Sequence, residues 1–141
     1  MSLRVIIEAD GGSRGNPGPA GYGAVVRNAD TGELLAEASG CLGSTTNNVA
    51  EYSGLIAGLR AALKAGAASV EARMDSKLVV EQMSGRWKIN HPNLRPLASE
   101  AAGLARELGE VTYTWVPRAR NAHADRLANE AMDAQAAESR R

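Results

Sequence analysis

The sequence has little of several residue types, and each shortage excludes a class of protein. Of its 141 residues only Cys41 is a cysteine, which excludes an intrachain disulfide and a zinc site built from several cysteines. No apolar run approaches the ~20 residues that a membrane-spanning helix needs. The N-terminal segment reaches Glu8 and Asp10 too early to contain the apolar core of a signal peptide. We therefore expect a cytoplasmic protein with no membrane partner.

The sequence also has no excess of either charge, with 16 Lys+Arg against 16 Asp+Glu. Nucleic-acid-binding proteins usually carry a basic excess, so the overall composition does not favour such a partner. A nucleic-acid function must therefore be argued from the positions of individual charges. The length, with 44% hydrophobic and 23% charged residues, is typical of one globular domain.

Hydrophobic periodicity predicts three strands in the first part of the chain. Residues 3–10 alternate between apolar and polar side chains and end at Asp10, and further strands are predicted at 22–27 and 34–42. The segment 11–21 is so rich in glycine and proline that we expect neither a helix nor a central strand there. Consecutive strands joined by turns favour an antiparallel meander.

Helices and strands alternate in the second part of the chain. The pattern predicts helices from the polar segment 44–48 to Gly66, from Ser76 to Met83, over 94–108 and from about Asn121 past Met132, with strands at 69–75 and 111–116. The order βββαβα(α)βα indicates an α/β protein with a five-stranded mixed sheet flanked by helices. Strands 1–3 are expected to be antiparallel, and strands 1, 4 and 5 parallel.

Four carboxylates fall where this fold would bring them together. Asp10 and Asp75 end two strands that we expect to be parallel neighbours, while Glu51 and Asp125 lie in the first turns of two helices. Ligands bind beyond the carboxyl ends of parallel strands. Carboxylates so close raise one another's pKa unless cations neutralise them, and oxygen-only ligands suit Mg²⁺ or Mn²⁺. Two such ions can clamp a phosphodiester.

Four sequence blocks carry a resemblance to a known family. They are E-A-D-G-G-S-R-G-N-P-G-P-A-G-Y-G-A at 8–24, T-T-N-N-V-A-E at 45–51, M-D-S-K-L-V at 74–79 and N-A-H-A-D-R-L-A-N at 121–129. In order and spacing they resemble the type 1 ribonuclease H family, over about residues 3–133. The resemblance implies the ribonuclease H-like fold. It also implies endonucleolytic hydrolysis of the RNA strand of RNA–DNA hybrids, giving 5′-phosphate and 3′-hydroxyl ends.

The resemblance also assigns residues and cofactors. Asp10, Glu51, Asp75 and Asp125 match the catalytic acids that hold two Mg²⁺ ions when substrate is bound, with Mn²⁺ as a substitute. The matched substrate-binding positions are Asn16, Asn47 and Asn48 in the minor groove, Thr46 and Asn90 at a DNA phosphate, Trp87 on the DNA backbone, and Lys77 at a base-contacting position. Apart from the resemblance, Arg118 or Arg120 is expected to act on the phosphate in place of the mobile-loop histidine of many relatives. Asparagine suits the minor groove because it can both donate to and accept from 2′-hydroxyls.

Some features depart from many relatives. The chain lacks the lysine-rich handle between helices, as short-loop bacterial and archaeal members do. His123 lies only two residues before Asp125, so we expect a helix-face residue rather than the mobile-loop histidine of relatives. We predict a monomeric catalytic domain at 1–133 and a tail or linker stub at 134–141. Some actinobacterial-type relatives carry a phosphatase-like domain after such a tail, so the chain is compatible with the N-terminal part of a longer protein.

Two alternatives share this fold: a catalytically silent module that binds hybrids or duplexes, and another nuclease of the same superfamily. The presence of all four acids disfavours the silent module, and the three asparagines, which suit 2′-hydroxyl recognition, disfavour another nuclease. Tyr113 and Trp115 are expected to lie in the core or on the sheet surface, and Cys41 to be a small buried side chain.

Overall fold

In the computed structural model, which describes residues 2–139, five strands form one sheet and α-helices pack on both of its faces. The strands are β1 (Leu3–Ser13), β2 (Gly18–Asn28), β3 (Leu34–Thr45), β4 (Ala67–Met74) and β5 (Glu110–Trp115). The helices are α1 (Asn47–Lys64), α2 (Lys77–Met83), α3 (Arg95–Leu108) and α4 (Ala122–Ser139), with a 3₁₀ turn at Arg118–Arg120. The predicted order of elements is confirmed.

The sheet has the strand order β3-β2-β1-β4-β5. Strand β1 is antiparallel to β2, and β2 to β3, whereas β1, β4 and β5 run parallel. The predicted mixed sheet is therefore confirmed. The alternation seen in the sequence has its expected cause, since Val5 and Ile7 of β1 and Val70 and Ala72 of β4 are buried in the core.

The glycine-rich segment 11–21 differs from its prediction. Strand β1 continues to Ser13 and β2 begins at Gly18, so a central strand runs into this segment and the expectation was wrong there. Pairing with β2 carries the strand through this segment, since Gly11 lies opposite Tyr22. Glycine is needed there because a Cβ on Gly11 would lie only 2.1 Å from the carbonyl oxygen of Ala50 in α1. Glycine here allows a helix to touch the strand.

Helix α1 lies against the sheet along a stripe of small residues. A Cβ on Gly54 would lie 2.5 Å from the carbonyl oxygen of Asp10, and one on Gly58 would lie 2.5 Å from Cγ2 of Ile7. The helix begins after Thr46, whose hydroxyl accepts a hydrogen bond of 3.3 Å from the Val49 N–H. Its first turn is thereby fixed over the end of β1.

Helix α4 packs on the opposite face, where Gly21 and Gly23 of β2 leave room for it. It continues to Ser139, so helix occupies most of the segment 134–141 that the sequence predicted as a tail, and residues 140 and 141 lie outside the described part. Cys41 is exposed, so its predicted burial was wrong; it lies on the edge strand β3, whose alternate residues face solvent. Among the described residues, no helix is long and apolar enough to cross a membrane.

Candidate active site

The four acids line one cavity of about 540 Å³. Asp10 lies in β1, Asp75 follows the last residue of β4, Glu51 is in α1, and Asp125 is in the first turn of α4. Asp10 is only 8% exposed. The structure therefore brings together all four of the carboxylates that the sequence singled out.

Strand register and one buried amide bring Asp10 and Asp75 together. Ala9 of β1 is paired with Met74 of the parallel β4, so the residues that follow them extend from the same edge of the sheet. Nδ2 of Asn121, which is 0% exposed, donates 2.8 Å to the Ala9 carbonyl and 2.9 Å to Oδ1 of Asp75. Asn121 thus connects the end of β1, the Asp75 carboxylate and the start of α4.

Burial, followed by the negative charge of Asp75, raises the pKa of Asp10 to about 8. A hydrogen bond with Asp125 acts in the same direction, whereas the N–H of Gly11 opposes it. A hydrogen bond between two carboxyl groups needs a proton on one of them. Asp10 therefore retains a proton under conditions where an exposed aspartate is ionised.

Glu51 behaves in the same way to a smaller degree. Burial is the main cause that raises its pKa to about 7, with a contribution from the charge of Asp75, while a hydrogen bond from the Ser76 side chain partly offsets the rise. Two perturbed carboxyls in one cleft are typical of a functional site.

The chemistry of these donors fits a hard divalent cation, because they are carboxylate oxygens whose mutual repulsion a positive charge would relieve. Their arrangement is not closed, however: among residues 2–139, no three acidic, histidine or cysteine side chains already surround one point as metal ligands do. The donor set therefore fits a hard divalent cation such as Mg²⁺ or Mn²⁺.

Two arginines border the cavity. Arg118 places Nη2 3.4 Å from Oδ1 of Asp125, and Arg14 places Nη2 2.6 Å from Oδ1 of Asp133. The predicted phosphate-directed position of Arg118 thus lies beside the acids. Arg120 is exposed in the 3₁₀ turn and does not line the cavity.

Asparagines gather at the start of α1. Asn47 accepts from the Ser13 N–H through Oδ1 (2.7 Å), and its own N–H donates to Oδ1 of Asn16 (3.1 Å). Asn48 lines both the main cavity and a neighbouring pocket of about 160 Å³. The lining of that second pocket is Asn16, Thr46, Asn48, His91 and Leu94.

The other predicted substrate residues lie away from these cavities. Lys77 is exposed at the start of α2, Trp87 is exposed after that helix, and Asn90 is exposed without lining the pocket that contains Thr46. The neighbouring His91 lines it instead. The roles of Lys77, Trp87 and Asn90 stay predictions.

Comparison with known proteins gives the family. A family model described as reverse transcriptase-like matches residues 8–131. The ribonuclease H of Hydrogenovibrio crunogenus is 35% identical over 143 residues, covering 92% of this chain and 95% of that protein. The chain belongs to the ribonuclease H family.

Two further relatives of this ribonuclease H share a higher sequence identity with it than the Hydrogenovibrio protein does. The bifunctional protein Rv2228c of Mycobacterium tuberculosis is 63% identical over 134 residues, covering 95% of this chain but only 37% of that protein. The N-terminal RNase H domain of that protein, solved as a fusion with maltose-binding protein, has a TM-score of 0.95 at 62% identity. The match covers 98% of this chain and 99% of the solved chain. LC11-RNase H1 from compost, solved in complex with an RNA/DNA hybrid, has a TM-score of 0.88 at 43% identity, with 93% and 98% covered.

His123 lies in α4, which agrees with the expected helix-face position, and its ring contacts side chains of β2 and β3. Its Nδ1 accepts from Nη2 of Arg27 (2.7 Å), so its proton is on Nε2, which donates to Glu37. Arg27 in turn donates to Glu8 (3.1 Å). This chain of contacts fixes α4 on the sheet, and His123 does not line the active-site cavity.

Sequence reasoning missed several residues of this ribonuclease H site. Arg14 and Asn129 line the main cavity, His91 lines the smaller pocket, and Asn121 holds Asp75. A signal existed for Arg14, which lies inside the first sequence block. Trp115 is 49% exposed and donates to the Asp75 carbonyl (3.2 Å), which agrees with its prediction as a sheet-surface residue.

Proposed function

We propose that this chain is an endoribonuclease that hydrolyses the RNA strand of RNA–DNA hybrids. The observation that carries the proposal is the cavity itself, in which four acids from separate elements meet beside the asparagines of α1. The family supports it, and a relative of 43% identity was solved with an RNA/DNA hybrid bound.

The four acids are the proposed cation ligands. Asp10, Glu51, Asp75 and Asp125 would hold divalent cations, Mg²⁺ or in its place Mn²⁺. When bound, two such cations would activate a water molecule for attack on the scissile phosphorus and would neutralise the phosphate charge. Cleavage of the P–O3′ bond would then leave 5′-phosphate and 3′-hydroxyl ends. Without a bound cation, burial raises the pKa of both Asp10 and Glu51, so cation binding would displace protons from these carboxyls.

The asparagines would select the substrate. Asn48 lines both the acidic cavity and the smaller pocket, so it lies between the sites proposed for the RNA strand and the DNA strand. Amide groups that both donate and accept match 2′-hydroxyls in the shallow minor groove of an A-like duplex. The smaller pocket, with the Thr46 hydroxyl and His91, suits a phosphate of the DNA strand. We expect affinity to fall steeply with salt.

The surroundings of this activity are part of the proposal. We propose a cytoplasmic, monomeric catalytic domain at 1–133. The chain spans 37% of the length of the mycobacterial relatives, so the activity of any longer protein is also a proposal.

One gel tests the proposed function. Labelled RNA–DNA hybrid, double-stranded RNA and double-stranded DNA are incubated with the protein, with Mg²⁺ or with a chelator. We expect cleavage of the hybrid RNA strand alone, only with Mg²⁺, and its loss in Asp10→Asn. The matched control Asp30→Asn changes an exposed aspartate that pairs with Arg4 and should cut like the wild type.

The same gel distinguishes the alternatives. Cleavage of DNA or of double-stranded RNA at the same rate would indicate another nuclease of this superfamily. Retention of the hybrid without any cut would indicate a silent binding module, and cleavage in chelator would refute the cation-dependent reaction.

A further inference from the structure

Arg14 lies in the turn between β1 and β2, and close contacts fix the course of this turn. The Arg14 N–H donates 2.8 Å to the Pro19 carbonyl, and the Ser13 N–H donates 2.7 Å to Oδ1 of Asn47 on α1. A Cβ on Gly18 would lie 2.0 Å from the Arg14 carbonyl oxygen. The backbone of Arg14 is therefore held in place, and its side chain is directed from a fixed base.

The guanidinium of Arg14 connects this turn to α4 at the edge of the acidic cavity. Its Nη2 lies 2.6 Å from Oδ1 of Asp133, whose neighbour Met132 lines the cavity together with Arg14. Both charged side chains are accessible to solvent, at 43% and 68%. A ligand that enters the cavity can therefore reach the pair.

The ion pair is of the kind that a phosphate can replace. An exposed arginine–carboxylate pair contributes at most about 1 kcal/mol. A phosphodiester carries one negative charge, as a carboxylate does, and its two non-bridging oxygens accept paired hydrogen bonds from a guanidinium. A negatively charged strand that approaches four carboxylates also needs positive groups nearby, and Arg14 and Arg118 are the arginines that line the cavity among the described residues.

We infer that Arg14 binds a phosphate of the nucleic-acid strand in the active-site cavity, and that Asp133 is its counter-ion in the free protein. Asp133 competes with the strand for the guanidinium, so it weakens substrate binding, and the strand releases it. This inference rests on the proposed function, since it needs a nucleic-acid substrate at this site.

Removing the charge of Arg14 should weaken substrate binding, and removing the charge of Asp133 should strengthen it. The test measures the Kd of a fluorescent RNA–DNA hybrid by anisotropy with Mg²⁺ over a series of KCl concentrations, in proteins that also carry Asp10→Asn to prevent cleavage. Asp133→Asn should lower Kd about threefold, and Arg14→Gln should raise it about fivefold. Arg14→Gln should also reduce the slope of log Kd against log salt by about one, as expected for one lost phosphate contact.

A double variant and a control variant at a second exposed ion pair separate the competition for Arg14 from a general effect of charge on binding. With Arg14→Gln present, Asp133→Asn should have no further effect, because its benefit acts through Arg14. The control is Glu130→Gln, which frees Arg126 from an exposed ion pair of 3.6 Å on the same helix, away from the cavity lining, and should leave Kd within about 1.5-fold.

Three results would overturn the inference. They are an unchanged Kd and salt slope in Arg14→Gln, a Kd in Asp133→Asn that is not lowered, and an equal gain in Glu130→Gln. If the Asp10→Asn parent with Arg14 and Asp133 intact binds no hybrid, the proposed function itself fails, and this inference fails with it. Circular dichroism melts of each variant verify that the proteins compared are folded.

Discussion

Replacing Asp10 by asparagine should make the protein more stable when divalent cations are removed. The pKa of Asp10 is raised from 3.8 to about 8, chiefly by burial. An acid with a raised pKa in the folded state binds a proton on folding between those two values. The contribution of Asp10 to stability is therefore greatest at and below about pH 4 and falls as pH rises towards 8, because the carboxyl is more readily ionised in the unfolded chain.

The size of this effect follows from the pKa shift. Each unit corresponds to about 1.4 kcal/mol, so the cost at pH 7 is at most about 4 kcal/mol. Asparagine does not ionise, although burial of its amide costs part of the gain. We expect Asp10→Asn to raise the free energy of unfolding by about 1–3 kcal/mol at pH 8, and by little at pH 5.

Urea unfolding in EDTA between pH 5 and 9, followed by tryptophan fluorescence, measures this difference. The exposed Asp30→Asn is the control and should follow the wild type at each pH. An Asp10→Asn protein that is no more stable than the wild type at pH 8 would refute the reasoning. A gain that does not change with pH would refute it equally.

The remaining predictions concern buried contacts and cation binding. Asn121→Ala should lower the free energy of unfolding by about 2–4 kcal/mol, since one buried and one partly buried hydrogen bond are lost. The exposed Asn93→Ala should change it by under about 0.5 kcal/mol, and equal urea midpoints would contradict the bridging role of Asn121. Gly11→Ala should reduce hybrid cleavage at least about tenfold by pushing α1 away from β1. The control Gly103→Ala, in an open position on α3, should cleave the hybrid normally and be up to about 1 kcal/mol more stable. Full activity of Gly11→Ala would show that the contact between α1 and β1 is not needed. Mg²⁺ should raise the Tm of the wild type but not of Asp10→Asn, and equal shifts in differential scanning calorimetry would place the cation elsewhere.

The sequence predicts the parts of this fold that depend on local pattern. Alternation in β1 marks Val5 and Ile7 for burial because a strand has one face towards the core. The four acids could be grouped from sequence because parallel strands end at the same edge and helices begin there. The predicted start of a helix at Ser76 has a similarly local reason, because its side chain accepts a hydrogen bond from the Val79 N–H.

The rest depends on contacts between distant segments. Strand β1 continues through Gly11 because it pairs with the distant strand β2, whereas propensity alone favours a turn for such a segment. Asn121 reaches the carbonyl of Ala9, 112 residues away, and Arg14 reaches Asp133, 119 residues away. Periodicity carries no information on such pairs.

The contact of α1 with β1 has a consequence for how this protein can change over time. Main-chain atoms, rather than bulky side chains, set the separation of Glu51 from Asp10, since Gly11 and Gly54 let helix and strand meet directly. Substitutions among the large interior residues, such as Leu55, would alter stability while the two acids keep their spacing. The core residues can therefore be substituted without moving the catalytic acids, provided that those two glycines are retained.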